Sequence, residues 1–261
     1  MKSLKVENLE YSYGKNKILK GVNLSLDSGE LVGILGSNGC GKSTLLKTIM
    51  GFYKMDSGKV LIDEKNLKDI SLGELSKKIA FITQSTNQNI EFNVLEFLRL
   101  GRIPHIKNPF KGLDVNDNNI VNQVIKDLNL ENYLSRKVVN LSGGEFQRIL
   151  LGKAFIQEGE IIFLDEPTSA LDINHALDFL ERLIFKIKES DLIGIIVIHD
   201  INLASLFCDK ICFMKDGKIT YIGKPKDIIK KDILEDIYGY SPEIIENANT
   251  KYILPKRSND D

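Results

Sequence analysis

Cysteine is scarce in this 261-residue chain, limited to Cys40, Cys208 and Cys212, an odd number with no C-x-x-C pair. That excludes a disulfide scaffold and suits a reducing compartment. Cys208 and Cys212 have no partner cluster for a metal and read as small packed hydrophobes. Long apolar runs are also missing: none reaches the roughly 18 uninterrupted residues that a spanning helix needs. Met1-Lys2-Ser3-Leu4-Lys5 lacks a signal-peptide core. The expectation is a cytosolic chain whose membrane role, where it has one, requires a different subunit. Net charge is nearly absent at -1, which argues against holding nucleic acid by bulk electrostatics while leaving room for a local basic patch. Internal repeats and low-complexity tracts are lacking too. What remains, 43% hydrophobic and 27% charged residues, is ordinary for a soluble globular protein. The length suits one domain, or one domain with an inserted subdomain.

Apolar alternation over roughly Leu4–Leu9 and Val22–Leu26 predicts opening β-strands. Helical periodicity in Val94–Leu100, Val115–Leu128 and Glu145–Ile156 predicts a helical insertion over about 90–157. A further helix is expected from about Asp172 to Lys188, and a short helical tail over about 226–261. Four apolar runs too short for buried helices end at Gly36, Gln84, Asp165 and His199. In a parallel sheet covered by helices, ligands gather beyond the carboxyl ends of the strands. Four strands delivering such residues to one edge are hard to obtain by accident.

Gly36-Ser37-Asn38-Gly39-Cys40-Gly41-Lys42-Ser43 fits the G-x-x-x-x-G-K-[ST] phosphate loop in its strand–loop–helix context, with Thr44 next in line as a nucleotide contact. The glycines let backbone N–H groups crowd around phosphate oxygens, and the helix start adds positive potential. Lys42 is expected to reach the β- and γ-phosphates of ATP, and the Ser43 hydroxyl to sit on Mg²⁺. Ile161-Ile162-Phe163-Leu164-Asp165-Glu166 is the partner run. Asp165 would hold Mg²⁺ through its water shell, and Glu166 would polarise the attacking water. In Leu141-Ser142-Gly143-Gly144-Glu145, Ser142 can cap a helix while Gly143 and Gly144 allow close backbone approach.

With Gln147-Arg148 after it, this last run resembles the signature motif of ATP-binding-cassette (ABC) ATPases. The resemblance covers nearly the whole chain, with each motif in order. It implies an α/β fold: a P-loop NTPase (RecA-like) core over about 1–88 and 158–225, an N-terminal antiparallel β subdomain, and an inserted α-helical signature subdomain over about 89–157. His199 matches the family's switch histidine at the γ-phosphate, and Gln84 the glutamine that contacts metal and water. Tyr13 matches the aromatic that stacks on adenine, with Tyr11 as the alternative. Ser169-Ala170-Leu171-Asp172 resembles the loop that crosses the dimer interface, and Asp172 can also cap a helix. The family implies a head-to-tail homodimer in which Ser142 and Gly144 of one subunit complete the ATP site of the other.

Gly101-Arg102-Ile103-Pro104-His105, Leu171-Asp172-Ile173-Asn174-His175 and Ile253-Leu254-Pro255 look like the ATPases of iron-siderophore, haem and cobalamin importers. On local grounds alone, Pro104 would stop a helix and Arg102 and His105 would face solvent. The subgroup implies polytopic permease subunits as partners, a substrate-binding protein met indirectly, no nucleic acid, and a place on the inner face of the cell membrane. The competing class is a soluble ABC ATPase acting on DNA or the ribosome. Such proteins usually join two cassettes or carry coiled-coil or basic insertions, which this chain lacks.

Overall fold

Strands buried on both faces demand cover on both sides, and the described residues contain several of them. In the computed structural model, which describes residues 2–83, 88–107, 110, 112–247 and 250–254, the elements run in chain order as follows. First come β1 (Ser3–Tyr13), β2 (Asn16–Asp27), β3 (Glu30–Gly36), α1 (Lys42–Ile49), β4 (Ser57–Ile62) and β5 (Lys65–Asn66). Next are α2 (Leu72–Lys78), β6 (Ile79–Ile82), α3 (Val94–Arg99), α4 (Val115–Asp127), α5 (Gly143–Ile156), β7 (Ile161–Asp165) and α6 (Ile173–Glu189). The chain then forms β8 (Ile193–Val197), α7 (Ile201–Phe207), β9 (Lys210–Lys215), β10 (Lys218–Gly223), α8 (Pro225–Ile228), α9 (Lys231–Tyr238), β11 (Glu243–Asn247) and β12 (Thr250–Leu254). They divide into two units, residues 1–69 with 193–261, and residues 70–192.

In the first unit, β1 and β2 pair antiparallel with β4 and β5, in the order β2-β1-β4-β5. Their alternating burial, with Leu4, Val6, Leu9 and Tyr11 inward on β1, marks a sheet with one face covered. β3 and β8 are instead apolar along their length and pair in parallel, with Ile34 opposite Val197, while β9 runs parallel on the other side of β3. β10 closes that side antiparallel to β9. The predicted helical tail needs correction here. Helix ends at α9, and Gly239, in a left-handed conformation at its C-terminus, stops it. Beyond it β11 and β12 form an antiparallel hairpin with Ile244 opposite Ile253. Ile253 is buried while Ile245, Tyr252 and Leu254 are exposed, a period of two rather than 3.6.

In the second unit, β6 and β7 pair in parallel, with Ile82 opposite Leu164. α6 buries Ala176, Phe179, Leu180, Leu183 and Ile187 as one stripe. Each large side chain of that stripe contributes roughly 1.5–3 kcal/mol of transfer free energy. Helices α2, α3, α4 and α5 all start with reciprocal capping boxes: Ser71 with Glu74, Asn93 with Glu96, Asp114 with Asp117 and Ser142 with Glu145. α6 begins on Asp172, whose carboxylate accepts from the His175 N–H at 3.0 Å.

Candidate functional site

In the first unit, β3 leads into the loop at Gly36, and α1 opens from it at Lys42. Gly36 has a φ of +150°, and a Cβ there would lie 2.2 Å from the Met214 carbonyl oxygen, so only glycine fits. Gly41 caps α1 with a φ of +106°, without a side-chain cap and with no acid in the first turn. The helix start is therefore built from backbone donors, the arrangement that favours an anion. Lys42 is buried, and its Nζ donates to the carbonyls of Gly36 at 2.9 Å and Ser37 at 3.0 Å. Two neutral carbonyls compensate a buried ammonium only in part, so phosphate oxygens would be strongly favoured there.

Burial pushes the Cys40 thiol upward, with the Lys42 charge opposing it, so Cys40 is a packed, protonated thiol in the loop. Tyr238, at the end of α9, is pushed up chiefly by burial, and its oxygen meets the backbone N–H of Gly36. The parallel register of β3 and β8 brings Gly36 and His199 out at one carboxyl edge. Of the two candidate adenine rings, Tyr13 is 51% exposed and Tyr11 only 8%. Tyr11 instead stacks on Tyr53, centroids 5.1 Å apart. Tyr13 therefore has the accessible ring.

In the second unit, β7 ends at Asp165, which is buried. Glu166 follows with a φ of +52°, a left-handed conformation that costs a non-glycine residue roughly 1 kcal/mol or more. Its carbonyl accepts from both the N–H and the hydroxyl of Ser169, at 3.3 and 3.0 Å. The turn that strains Glu166 is thus tied to the loop Ser169–Asp172. Gln84 lies outside the described residues. A carboxylate oxygen such as that of Asp165 is the donor type that suits Mg²⁺, which keeps several waters and needs few protein ligands. Among the described residues no three or more His, Cys, Asp or Glu cluster as a cage for another metal.

α5 starts at Gly143 on the Ser142 cap. The Glu145 carboxylate accepts from the Ser142 N–H at 2.7 Å and from Arg136 at 2.9 and 3.3 Å. Arg136, with the Ser142 backbone, holds that carboxyl below its usual range. A Cβ on Gly143 would meet only the Ala170 carbonyl oxygen, at 3.9 Å. A Cβ on Gly144 would lie 2.4 Å from the His175 ring. His175 in turn pairs with Asp172 at 2.7 Å. This joins Asp172 and His175, which follow from Leu171, to the second glycine of the L-S-G-G-E run within one chain. Spacing gave no sign of that contact.

Arg102 is not solvent-facing, as helix-stop logic suggested, but 4% exposed. Its guanidinium bonds Asp117 at 2.8 Å, the Ile156 carbonyl at 2.9 Å and Glu158 at 2.7 Å. Burial opposes charge on Asp117, and the Arg102 bond and the Asp114 N–H outweigh it, leaving that carboxyl below its usual range. Gly101 packs so closely on α5 that a Cβ would lie 2.6 Å from the Lys153 carbonyl oxygen, and His105 bonds the Gln157 carbonyl at 2.8 Å. The G-R-x-P-H stretch is a clamp on the end of α5.

A phosphate loop, an acid pair ending a buried strand, and a capped Gly-Gly helix start define a nucleotide-hydrolase class. Comparison with known proteins carries this further. Residues 19–169 match the ABC transporter family, and the chain belongs to it. The chain is 36% identical to an uncharacterised ABC transporter ATP-binding protein of Methanocaldococcus jannaschii, over 97% of each. It is 31% identical to the petrobactin import ATP-binding protein FpuC of Bacillus anthracis, over 97% of this chain and 93% of that one. It is 33% identical to the hemin import ATP-binding protein HmuV of Escherichia coli O157:H7, over 94% and 95%. Among solved structures, the ADP conformation of an ABC transporter cassette superposes with a TM-score of 0.81 at 27% identity, covering 91% of this chain and 98% of that one. A dimeric bacterial ABC transporter cassette gives 0.72 at 31%, covering 85% and 98%. No helix among the described residues is long and apolar enough to cross a membrane.

Proposed function

We propose that this chain is the ATP-hydrolysing subunit of an importer for an iron chelate such as a siderophore, for haem, or for cobalamin. It works as a homodimer on the cytoplasmic face of a membrane, against separate permease subunits, with a substrate-binding protein met only through them. The supporting observation is near full-length similarity to import subunits for petrobactin and hemin. The domain division proposed is a core over about 1–88 and 158–225, with a helical subdomain over about 89–157.

Lys42 and the backbone donors of Gly36–Ser43, with Thr44, bind the β- and γ-phosphates. Tyr13 stacks on adenine, an interaction worth roughly 1–3 kcal/mol. Ser43 and Asp165, with Gln84, are the residues that would hold Mg²⁺, which when bound neutralises developing phosphate charge. Glu166 takes the proton of the attacking water, a role worth roughly 10²–10⁴-fold, and His199 contacts the γ-phosphate. Ser142, Gly143, Gly144 and Glu145 complete the partner's nucleotide site, and Ser169, Ala170, Leu171 and Asp172 lie along the dimer interface. The soluble DNA- or ribosome-acting class is less well supported, since the net charge is only -1 and import subunits match nearly the full chain.

The test is affinity purification of the parent and Glu166→Gln chains from detergent-solubilised membranes. Both should recover a polytopic membrane protein, and Glu166→Gln should turn over ATP about 10²–10⁴-fold more slowly. Recovery of ribosomes or nucleic acid instead, or unchanged turnover, contradicts the proposal.

A further inference from the structure

The run Met50-Gly51-Phe52-Tyr53 ends α1 in a specific way. Met50 is the C-cap and Gly51 follows with a φ of +78°. The Gly51 N–H bonds the Thr48 carbonyl at 3.1 Å and the Phe52 N–H bonds the Lys47 carbonyl at 2.9 Å. Those two bonds are the pattern of a Schellman stop, which fixes the direction in which the chain leaves the helix. Tyr53, the next residue, is half-buried, and its own N–H also reaches the Lys47 carbonyl at 3.4 Å.

The ring so placed meets two others. Tyr53 stacks on Tyr11 at an interplanar angle of 11°, and meets Tyr13 edge to face at 5.5 Å and 73°. Tyr11 meets Tyr13 in the same manner, at 5.2 Å and 84°. Aromatic quadrupoles favour both arrangements, so the two inner rings set the plane of the outer one. Polar coupling adds to this: the Tyr53 hydroxyl is pushed upward chiefly by that of Tyr13, with the Lys47 ammonium of α1 opposing. The helix that opens at the phosphate loop is thereby linked, through Lys47 and Tyr53, to the ring at Tyr13.

We infer that Tyr53 is a positioning residue for the nucleobase, holding the Tyr13 ring at a fixed place relative to the phosphate loop. This rests on the proposed stacking of adenine on Tyr13, and it explains why a solvent-exposed ring would be oriented before nucleotide arrives. A ring already set in plane loses less freedom on binding, so the gain appears as affinity for the base and not for the phosphates.

The test measures binding of ADP and of inorganic pyrophosphate to four chains: parent, Tyr53→Phe, Tyr53→Leu and Tyr13→Ala. Tyr53→Phe removes one oxygen and leaves the packing, so it keeps the fold; its ADP affinity should fall about 3-fold, the worth of one hydrogen bond. Tyr53→Leu, which also removes the ring contacts, should fall about 10-fold. Tyr13→Ala should fall 10-fold or more. Pyrophosphate affinity should stay at the parent level in all four. If Tyr13→Ala binds ADP like the parent, the stacking assignment itself is wrong. If Tyr13→Ala weakens ADP while Tyr53→Leu does not, or if the Tyr53 variants lose pyrophosphate equally, the positioning role is overturned.

Discussion

Two glycine-rich helix starts, those of α1 and α5, solve the same problem in opposite ways. At α1 the cap is Gly41 in a left-handed conformation, no side chain caps the helix, no acid sits in the first turn, and the first helical residue is Lys42. At α5 the Ser142 hydroxyl and the Glu145 carboxylate satisfy the end reciprocally, and Arg136 balances the acid. The first start is electropositive on its own and suits tight phosphate binding. The second is largely self-satisfied, so its attraction for phosphate is weaker and depends on close backbone approach. Under the proposed dimer, one surface would hold nucleotide throughout and the other would engage it only on closure.

The largest expected break of this contrast comes from the glycines. Gly36→Ala drives a Cβ to 2.2 Å from a backbone oxygen. It should cost about 3 kcal/mol or more in unfolding free energy by denaturant titration and remove nucleotide binding. Gly143→Ala, with open space around it, should instead leave stability level or raise it by about 0.5 kcal/mol through helix propensity. Equal losses at the two positions would show that the two starts are built alike.

The same contrast separates what could be read in the chain from what could not. The strand ends at Gly36 and Asp165, the α1 start at Lys42 and the Ser142 cap were legible because tight turns and helix capping demand particular residue types at fixed spacings. Both faces of β3 and β8 are covered, and their unbroken apolar runs say so. The burial of Arg102 could not be read because its partners Asp117, Ile156 and Glu158 are distant along the chain, and no local pattern reports a pairing of that range. The β11–β12 hairpin was missed because its strands are five residues each and lie in a tail whose start is helical. Tyr11 and Tyr13 could not be separated until burial distinguished them, and Tyr53 carries no motif at all.

A middle-sized effect tests the contact between Gly144 and His175. Gly144→Ala should cost about 1–2 kcal/mol in stability through overpacking against the ring. In a His175→Ala background that cost should largely vanish, as a double-mutant cycle would register. If Gly144 faces a partner's nucleotide as proposed, turnover should stay low in the double variant, where the added methyl group remains. Recovery of full turnover on removing His175 would show that Gly144 serves packing alone.

The smallest effect is electrostatic. Glu145 titrates below its unfolded range in the folded chain, chiefly through Arg136. Its stabilising contribution is therefore present above about pH 4.3, the unfolded value, and lost as pH falls through the folded one. Arg136→Ala should lower stability by about 0.5–1 kcal/mol at pH 7. The gap between variant and parent should close toward pH 3. A gap that persists there would assign the loss to packing of Arg136 on Tyr133, whose ring lies 5.5 Å from the guanidinium.

The most direct measurement is the solution mass of Glu166→Gln with excess Mg-ATP, by light scattering, compared with the same chain free of nucleotide. If the phosphate loop of one copy and the Gly-Gly start of another close on a shared nucleotide, the mass should double with ATP and not with ADP. A mass unchanged by ATP, alone and in the presence of the membrane subunits, contradicts the account.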